Sequence, residues 1–175
     1  VSLLFCAWLK DWALFERIFQ KLQLHKRPDS LYSWKARAGQ VLDQNNASDG
    51  DLYILWALLS AYSRKAPLPW VKTQADSLEN AIVSGLLSST SHGLVLKPGA
   101  RGFVDGQGIH TLNLSYALLP LVDELCKIGT HKEQWAALRE NHLSMSAYAY
   151  FGDYGLPSDW IDLTDPVGPS RKREF

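Results

Sequence analysis

Apolar residues recur along the first part of the chain with the three-to-four-residue spacing of amphipathic helices. Near the N-terminus the successive spacings are four, three, four and three, at Trp8, Trp12, Phe15, Phe19 and Leu22. This pattern predicts one helix, or a pair of helices with a break near Asp11. Because no capping residue precedes it, the first helix is expected to be already under way at Val1.

Two contrasting helices are predicted between residues 49 and 86. The first, "DGDLYILWALLSAY", is apolar on nearly every side, so other elements must cover it. The second carries apolar residues on one side, at Val71, Ala75, Leu78, Ile82 and Leu86, and polar residues on the other, at Lys72, Gln74, Asp76 and Glu79. An inner helix followed by an outer one is the unit from which helical toroids and solenoids are built.

Turn-forming residues separate these helices from the rest of the chain. Residues 28–44 are rich in such residues and in charge, and they predict a long loop that contains Trp34. Five glycines between Gly93 and Thr111 indicate a loop insertion with room for a small hairpin.

Two more helices are predicted in the second half. One begins near Pro120, a residue suited to a first helical position, and ends at Gly129. A capping box formed by Thr130 and Glu133 predicts the next, which runs to about Met145. The last ten residues, 166–175, are predicted to be unstructured.

Composition narrows the class of protein. With 175 residues, 46% of them apolar, the chain fits one globular domain. Eighteen basic residues balance eighteen acidic ones, so no net field draws it to nucleic acid, and the apolar opening is interrupted too early to insert into a membrane. The five histidines are scattered and the two cysteines are interpreted as buried thiols, so no metal is expected. The sequence contains no phosphate-cradling loop, and no cofactor is expected.

Two aspartates stand two positions apart in the polar turn "NNASDGD". Side chains at i and i+2 of a helix point about 200° apart, so Asp49 and Asp51 cannot face one substrate as a catalytic pair. In one interpretation, one of them is an N-cap and the other complements the helix dipole. In the other, Gly50 admits unusual backbone conformations and Asn46 and Ser48 add short hydrogen-bonding groups, which suits a hydroxyl-rich ligand.

The segment "NNASDGDLYILWALLSAY" resembles the signature of family 8 glycoside hydrolases, an Ala-Ser/Thr-Asp-Gly/Ala-Asp turn that enters an inner helix. "VLDQNNASDGD" is similar to the equivalent segment of the cellulases encoded alongside bacterial cellulose synthase. "GLVLKPGARGF", "LNLSY", "WAALRENHL" and "GLPSDWI" follow in the family's order. Residues 1–165 are therefore interpreted as part of a family 8 catalytic domain.

The resemblance implies an all-α (α/α)6 barrel, of which this chain covers roughly half with a small β-hairpin insertion, and hydrolysis of β-1,4-glucan with inversion. Such chemistry needs a general acid and a general base whose carboxyls lie roughly 6.5 to 9.5 Å apart. By the family's order, the acid Glu falls immediately before Val1 and the base Asp soon after Phe175. The chain is accordingly interpreted as an interior fragment that is inactive by itself.

The resemblance also assigns roles to residues. Asp49 matches the signature aspartate and is expected to grip the sugar at the cleavage point, because an inverting mechanism needs no covalent nucleophile. Asp51 is expected to brace the turn. Together with Asp49, the predicted site contains Trp34, Asn46, Ser48, Asp51, Asn113 and Tyr116 as substrate contacts.

Trp34 aligns with a tryptophan of the family and offers an indole face to a glucose ring. Trp8, Trp12 and Trp56 fit the apolar faces of their helices and are assigned to the core. Asn113 and Tyr116 match the family's Asn-x-Ser-Tyr motif, together with Ser115 between them. They either line the cleft or cap the following helix.

The partners implied are a β-glucan substrate and a functional link to cellulose synthase, in a periplasmic or secreted protein. The alternative is a non-catalytic helical relative that binds glucan or acts as a scaffold. Chitosanase, lichenase and xylanase activities share the signature, so the sequence leaves the polysaccharide open.

Overall fold

The computed structural model describes residues 1–151, 155–164 and 168–171. The chain divides into two compact units, Val1–Gly85 and Leu86–Phe175. In the described part the helices are α1 (Ser2–Leu9), α2 (Trp12–Gln23), α3 (Ser48–Ser63), α4 (Val71–Leu86), α5 (Leu119–Ile128) and α6 (Lys132–Tyr148). The strands are β1 (Ser33–Arg37), β2 (Gln40–Asn46), β3 (Leu87–Thr90), β4 (Gly93–Leu96), β5 (His110–Leu112), β6 (Tyr150–Phe151), β7 (Leu156–Pro157), β8 (Ile161–Thr164) and β9 (Gly168–Arg171).

The first unit opens with two helices rather than one. Lys10 adopts the left-handed conformation with φ 58°, and Asp11 caps α2 by accepting a hydrogen bond from Leu14 N at 3.0 Å. The break predicted near Asp11 is therefore confirmed. Phe15 and Phe19 point inward from α2, and Trp70 stacks on Phe19 with ring centroids 4.6 Å apart.

None of the three tryptophans assigned to the core is fully buried, and the assignment is wrong for Trp8. Trp8 is 42% exposed, and Trp12 and Trp56 are half-buried. Trp8 packs edge-to-face on Trp56, with centroids 5.8 Å apart, and likewise on the exposed Phe5. The buried apolar residues of α1 and α3 are mainly leucines and alanines.

The long loop predicted for residues 28–44 is instead largely a β-hairpin. Strands β1 and β2 pair antiparallel, with Ser33 opposite Asn46 and Arg37 opposite Gln40. The two turn residues, Ala38 and Gly39, both have positive φ, as a two-residue turn of type I′ requires. The strands lie almost wholly on the surface, so no alternation of apolar and polar residues marked them in the sequence.

Helices α3 and α4 follow their predicted patterns. The leucines of α3 at positions 52, 55 and 58 are fully buried, and all five apolar positions of the α4 stripe are buried. Glu79, assigned to the solvent face of α4, is an exception because it is only 1% exposed.

The second unit combines α5 and α6 with short strands. β3 and β4 form one hairpin, and β5, β8 and β9 form an antiparallel sheet in the order β5-β8-β9. A core cluster joins them to α6 through Val95, Leu112, Met145, Ala149, Ile161 and Leu163. The predicted hairpin lies earlier than expected, because β4 pairs with residues that precede Gly93.

Both helices of this unit form where the sequence placed them. α5 ends at Gly129 as predicted, whereas α6 has His131 rather than Thr130 at its N-cap and continues to Tyr148. Residues 168–171 of the tail predicted to be unstructured form β9 and pair with β8, which corrects that prediction for these four positions. The rest of that tail lies outside the described residues.

Burial of α3 gives a direct test of the first unit's core. Leu58→Ala is expected to lower the free energy of unfolding by about 2–5 kcal/mol, because a fully buried leucine leaves a cavity. Leu9→Ala, at a position 80% exposed, is the matched control and should stay within about 0.5 kcal/mol of wild type. Urea unfolding followed by circular dichroism measures both, and equal losses would contradict this core.

Candidate functional site

The polar turn that leads into α3 separates its two aspartates by environment. Ala47, in extended conformation, is the N-cap and offers no capping side chain. Asp49 and Asp51 both fall in the first turn, where the helix dipole favours acidic groups. The interpretation in which one of them is the N-cap is therefore wrong.

Asp51 is an internal brace. It is 1% exposed, and its Oδ1 accepts a hydrogen bond from Tyr32 N at 2.9 Å while its Oδ2 accepts one from Asn46 Nδ2 at 2.7 Å. Tyr32 immediately precedes β1 and Asn46 ends β2, so one carboxyl holds both ends of the hairpin against the start of α3. This is the bracing role expected of Asp51.

Burial also changes the acidity of this carboxyl. Loss of solvent raises the pKa of Asp51 from 3.8 to about 7, against the opposing effects of the hydrogen bonds from Asn46 and Tyr32 and of the positive charge on Arg27. Arg27 is itself held by Asp29, at 2.7 Å between Nη2 and Oδ2.

The other small polar groups of the turn are also internal. Asn46 is 3% exposed and Ser48 is fully buried. The Ser48 hydroxyl has no hydrogen-bond partner among the described residues. A sugar cannot touch Asn46, Ser48 or Asp51 at such burial, so the structure does not support the predicted substrate contacts by these three side chains.

Asp49, in contrast, lies at the surface of the turn. It is partly exposed, and its Oδ1 accepts a hydrogen bond from Gly50 N at 2.8 Å. A side chain added at Gly50 would meet no atom within 4 Å, so the space beside Asp49 is open. Gly50 is an ordinary helical residue here, and its lack of a side chain leaves room rather than permitting an unusual backbone.

Trp34 lies on strand β1 and not in a loop. Its side chain is 54% exposed, with Lys35 Nζ 5.3 Å from the ring centroid. Its neighbour Ser33 is paired with Asn46, so the indole stands at the end of the hairpin that leads into the acidic turn. An exposed indole face in this position is available for stacking.

The remaining predicted contacts belong to the second unit. Asn113 caps the 3-10 helix Leu114–Tyr116, since its Oδ1 accepts hydrogen bonds from Ser115 N at 3.0 Å and Ser115 Oγ at 2.7 Å. Tyr116 is half-buried and meets Trp160 edge-on with centroids 6.0 Å apart. The capping alternative therefore describes Asn113, although the cap belongs to this short turn and not to α5.

Sequence reasoning missed several groups that shape these sites. The environment of Asp51 is also set by Arg27, Asp29 and the backbone of Tyr32, which lie about twenty residues earlier in the chain. No local sequence motif indicates these interactions.

No helix in the described part of the chain is long and apolar enough to cross a membrane. Within the same residues, no three histidine, cysteine, aspartate or glutamate side chains gather closely enough to hold a metal ion.

Comparison with known proteins identifies the family. The sequence-family model described as glycosyl hydrolases family 8 matches residues 1–175 of this chain. The chain belongs to glycosyl hydrolases family 8. The resemblance read from the acidic turn is thereby confirmed.

The relatives of this family 8 chain are longer proteins. A probable endoglucanase of Novacetimonas hansenii is 29% identical over 172 residues, which are 95% of this chain and 49% of that protein. The endo-β-1,4-glucanase CMCax of Acetobacter xylinum superposes with a TM-score of 0.88 at 28% identity, covering 99% of this chain and 55% of that one. The endoglucanase Cel10 of Klebsiella pneumoniae gives 0.90 at 24% identity, with 99% and 57% covered.

The chain thus spans about half the length of the relatives it matches. The predicted fold class is confirmed: the chain is helical with small strand pairs, and it corresponds to roughly half of the (α/α)6 barrel of family 8.

The buried carboxyl predicts a pH-dependent stability. Because folding raises the pKa of Asp51, the native state binds this proton more tightly than the unfolded chain, so stability falls as pH rises from about 4 to about 7. A pKa moved from 3.8 to about 7 corresponds to a loss of up to about 4 kcal/mol across that range. Asp51→Asn imitates the protonated form and should remove this part of the pH dependence.

Urea unfolding of wild type and Asp51→Asn at several pH values measures the effect. The two free energies of unfolding should converge near pH 4, and the variant should become the more stable protein near pH 8. Parallel curves over the whole range would show that the carboxyl titrates alike in the folded and unfolded chains.

Proposed function

We propose that this chain is part of an endo-1,4-β-glucanase, a cellulase that hydrolyses β-1,4-glucan with inversion. Membership of family 8 and relatives that are named endoglucanases support the reaction class. The observation that carries the assignment to this site is Asp49, a partly exposed carboxylate on a braced turn with open space beside it.

Asp49 is proposed to grip the sugar ring at the cleavage point. One of its oxygens is occupied by Gly50 N, and no other hydrogen bond to this carboxylate is made within the described residues. The second oxygen can therefore accept hydrogen bonds from sugar hydroxyls, and contacts that strengthen as the ring distorts lower the barrier. The general acid Glu and the general base Asp are proposed to lie outside residues 1–175, so the chain alone would not hydrolyse glucan.

Trp34 is proposed to stack on a glucose ring of the same polysaccharide. Its side chain is 54% exposed, more than the 42% of Trp8, and it lies on the hairpin that Asp51 attaches to the turn. A flat indole presents apolar surface to the C–H face of a pyranose.

The cellular location of the enzyme is proposed from the same resemblance. A periplasmic or secreted location is proposed, with a functional link to cellulose synthesis, because the sequence around the acidic turn is similar to that of cellulases encoded alongside cellulose synthase.

In the full-length protein, Asp49→Asn is expected to lower turnover by orders of magnitude and to leave the fold intact, because the side chain is partly exposed and braces nothing. Viscometry on a soluble cellulose derivative measures the rate. Asp76→Asn, on the solvent-facing side of α4, is the matched control and should retain activity. Near-normal activity of Asp49→Asn would refute the role, and an inactive wild type would favour a glucan-binding or scaffold protein.

Trp34→Ala should weaken substrate binding more than it slows turnover. Loss of one stacking contact worth about 0.5–1.5 kcal/mol raises KM roughly 2- to 13-fold and changes kcat little. Trp34→Phe keeps an aromatic face and should recover part of the loss. Steady-state kinetics on cello-oligosaccharides separates the two parameters, and an unchanged KM for Trp34→Ala would exclude the platform.

A further inference from the structure

A small pocket lies within the second unit, between the 3-10 helix, the C-terminal part of α6 and the segment 157–159. Its volume is about 240 Å³. This is far more than the roughly 10–15 Å³ that one ordered water needs, and less than the about 300 Å³ at which pockets for drug-sized ligands begin. The space therefore suits one small ring and not an extended molecule.

His142 is the buried polar group of this pocket. The side chain lines the pocket and is 6% exposed. Within the described part of the chain, its ring nitrogens have no hydrogen-bond partner. Burial lowers the pKa of the imidazole, so near neutral pH the ring is uncharged and offers one N–H donor and one nitrogen acceptor. Because His142 lines the pocket, a ligand or a water molecule there can reach this ring.

Three serine hydroxyls that line the pocket already donate hydrogen bonds to protein acceptors. Ser146 Oγ donates to the His142 carbonyl at 2.8 Å, Ser115 Oγ donates to Asn113 Oδ1 at 2.7 Å, and Ser158 Oγ donates to the Trp160 carbonyl at 3.0 Å. Each hydroxyl oxygen keeps lone pairs that can accept a hydrogen bond. The lining therefore offers several hydrogen-bond acceptors, which favours a ligand with several O–H donors.

The charge and the walls of the pocket restrict the ligand further. Asp159 is the one charged residue in the lining, and no lysine or arginine accompanies it among the described residues there, so an anion is disfavoured. Leu114 and Pro157 contribute apolar surface. A neutral molecule with hydroxyls on its edge and C–H groups on its face matches both features.

We propose that this pocket binds a single neutral pyranose, either a free monosaccharide or the terminal unit of a longer chain. His142 supplies the buried donor and acceptor, the serines and Asp159 accept from the sugar hydroxyls, and Leu114 and Pro157 contact its apolar face. The choice of glucose as the sugar rests on the glucanase function proposed above, whereas the binding itself needs no hydrolysis.

The test follows glucose binding to the full-length protein by ligand-observed saturation-transfer NMR and by the ¹⁵N signals of the histidine rings. Ligand efficiency for twelve non-hydrogen atoms allows a dissociation constant of about 1–10 mM. Glucose should shift the His142 ring signals with that affinity, and glucose 6-phosphate should bind at least tenfold more weakly. His142 signals that stay unchanged up to about 100 mM glucose, well above that range, would overturn the proposal.

Variants make the assignment specific. His142→Phe keeps an aromatic ring without its nitrogens and should weaken glucose binding at least tenfold. Ser115→Tyr fills the mouth of the pocket from an exposed position, so it tests the site even if the buried substitution unfolds the protein. Ser144→Tyr, an exposed serine of α6 outside the lining, is its matched control and should bind glucose normally.

Equal affinity of Ser115→Tyr and Ser144→Tyr for glucose would contradict the pocket. Asp49→Asn should leave the His142 response to glucose unchanged, so failure of the glucanase mechanism and failure of this pocket give different results.

Discussion

In the first unit, the joint between the surface hairpin and α3 depends on one buried side chain. Asp51 receives the Tyr32 amide and the Asn46 side chain, and so attaches both ends of a surface hairpin to the first turn of α3. A carboxyl without these donors would not be tolerated at 1% exposure, because burying an unpaired polar group costs several kcal/mol. The two strands bury no apolar side chain, so this attachment, rather than a buried hydrophobic face, holds β1 and β2 to the unit.

The acidic turn gives two identical side chains opposite environments. Residues two positions apart on a helix point about 200° apart, so when Asp51 faces inward Asp49 must face outward. The Asp51 carboxyl fixes the backbone of the turn. Asp49 is attached to the same backbone, so its carboxylate is held in position without being buried. A carboxylate held in place before any ligand arrives loses little conformational freedom on binding, which is the property that a sugar-gripping group needs.

Exposure of the aromatic residues is the feature in which this chain departs most from its sequence pattern. Trp8 belongs to the apolar stripe of its helix, yet 42% of its surface is exposed. Helical periodicity identifies the side of a helix on which a residue lies, but not whether anything covers that side. In the second unit the reverse occurs, because His142 lies in a polar stretch of sequence and is nevertheless almost fully buried.

The sequence alone determined the elements whose signal is local: the one-sided stripe of α4, the all-round apolar α3, the glycine that ends α5, and the motif of the acidic turn that marks the family. Spacing along the chain specifies such features because neighbouring residues share one helix. Tertiary structure decided the rest. The β1–β2 hairpin, the burial of Asn46 and Ser48, and the pocket at His142 depend on residues far apart in sequence, such as Tyr32 with Asp51 or Asn113 with His142. No local pattern encodes these pairs, because only the folded chain brings their members to the same site.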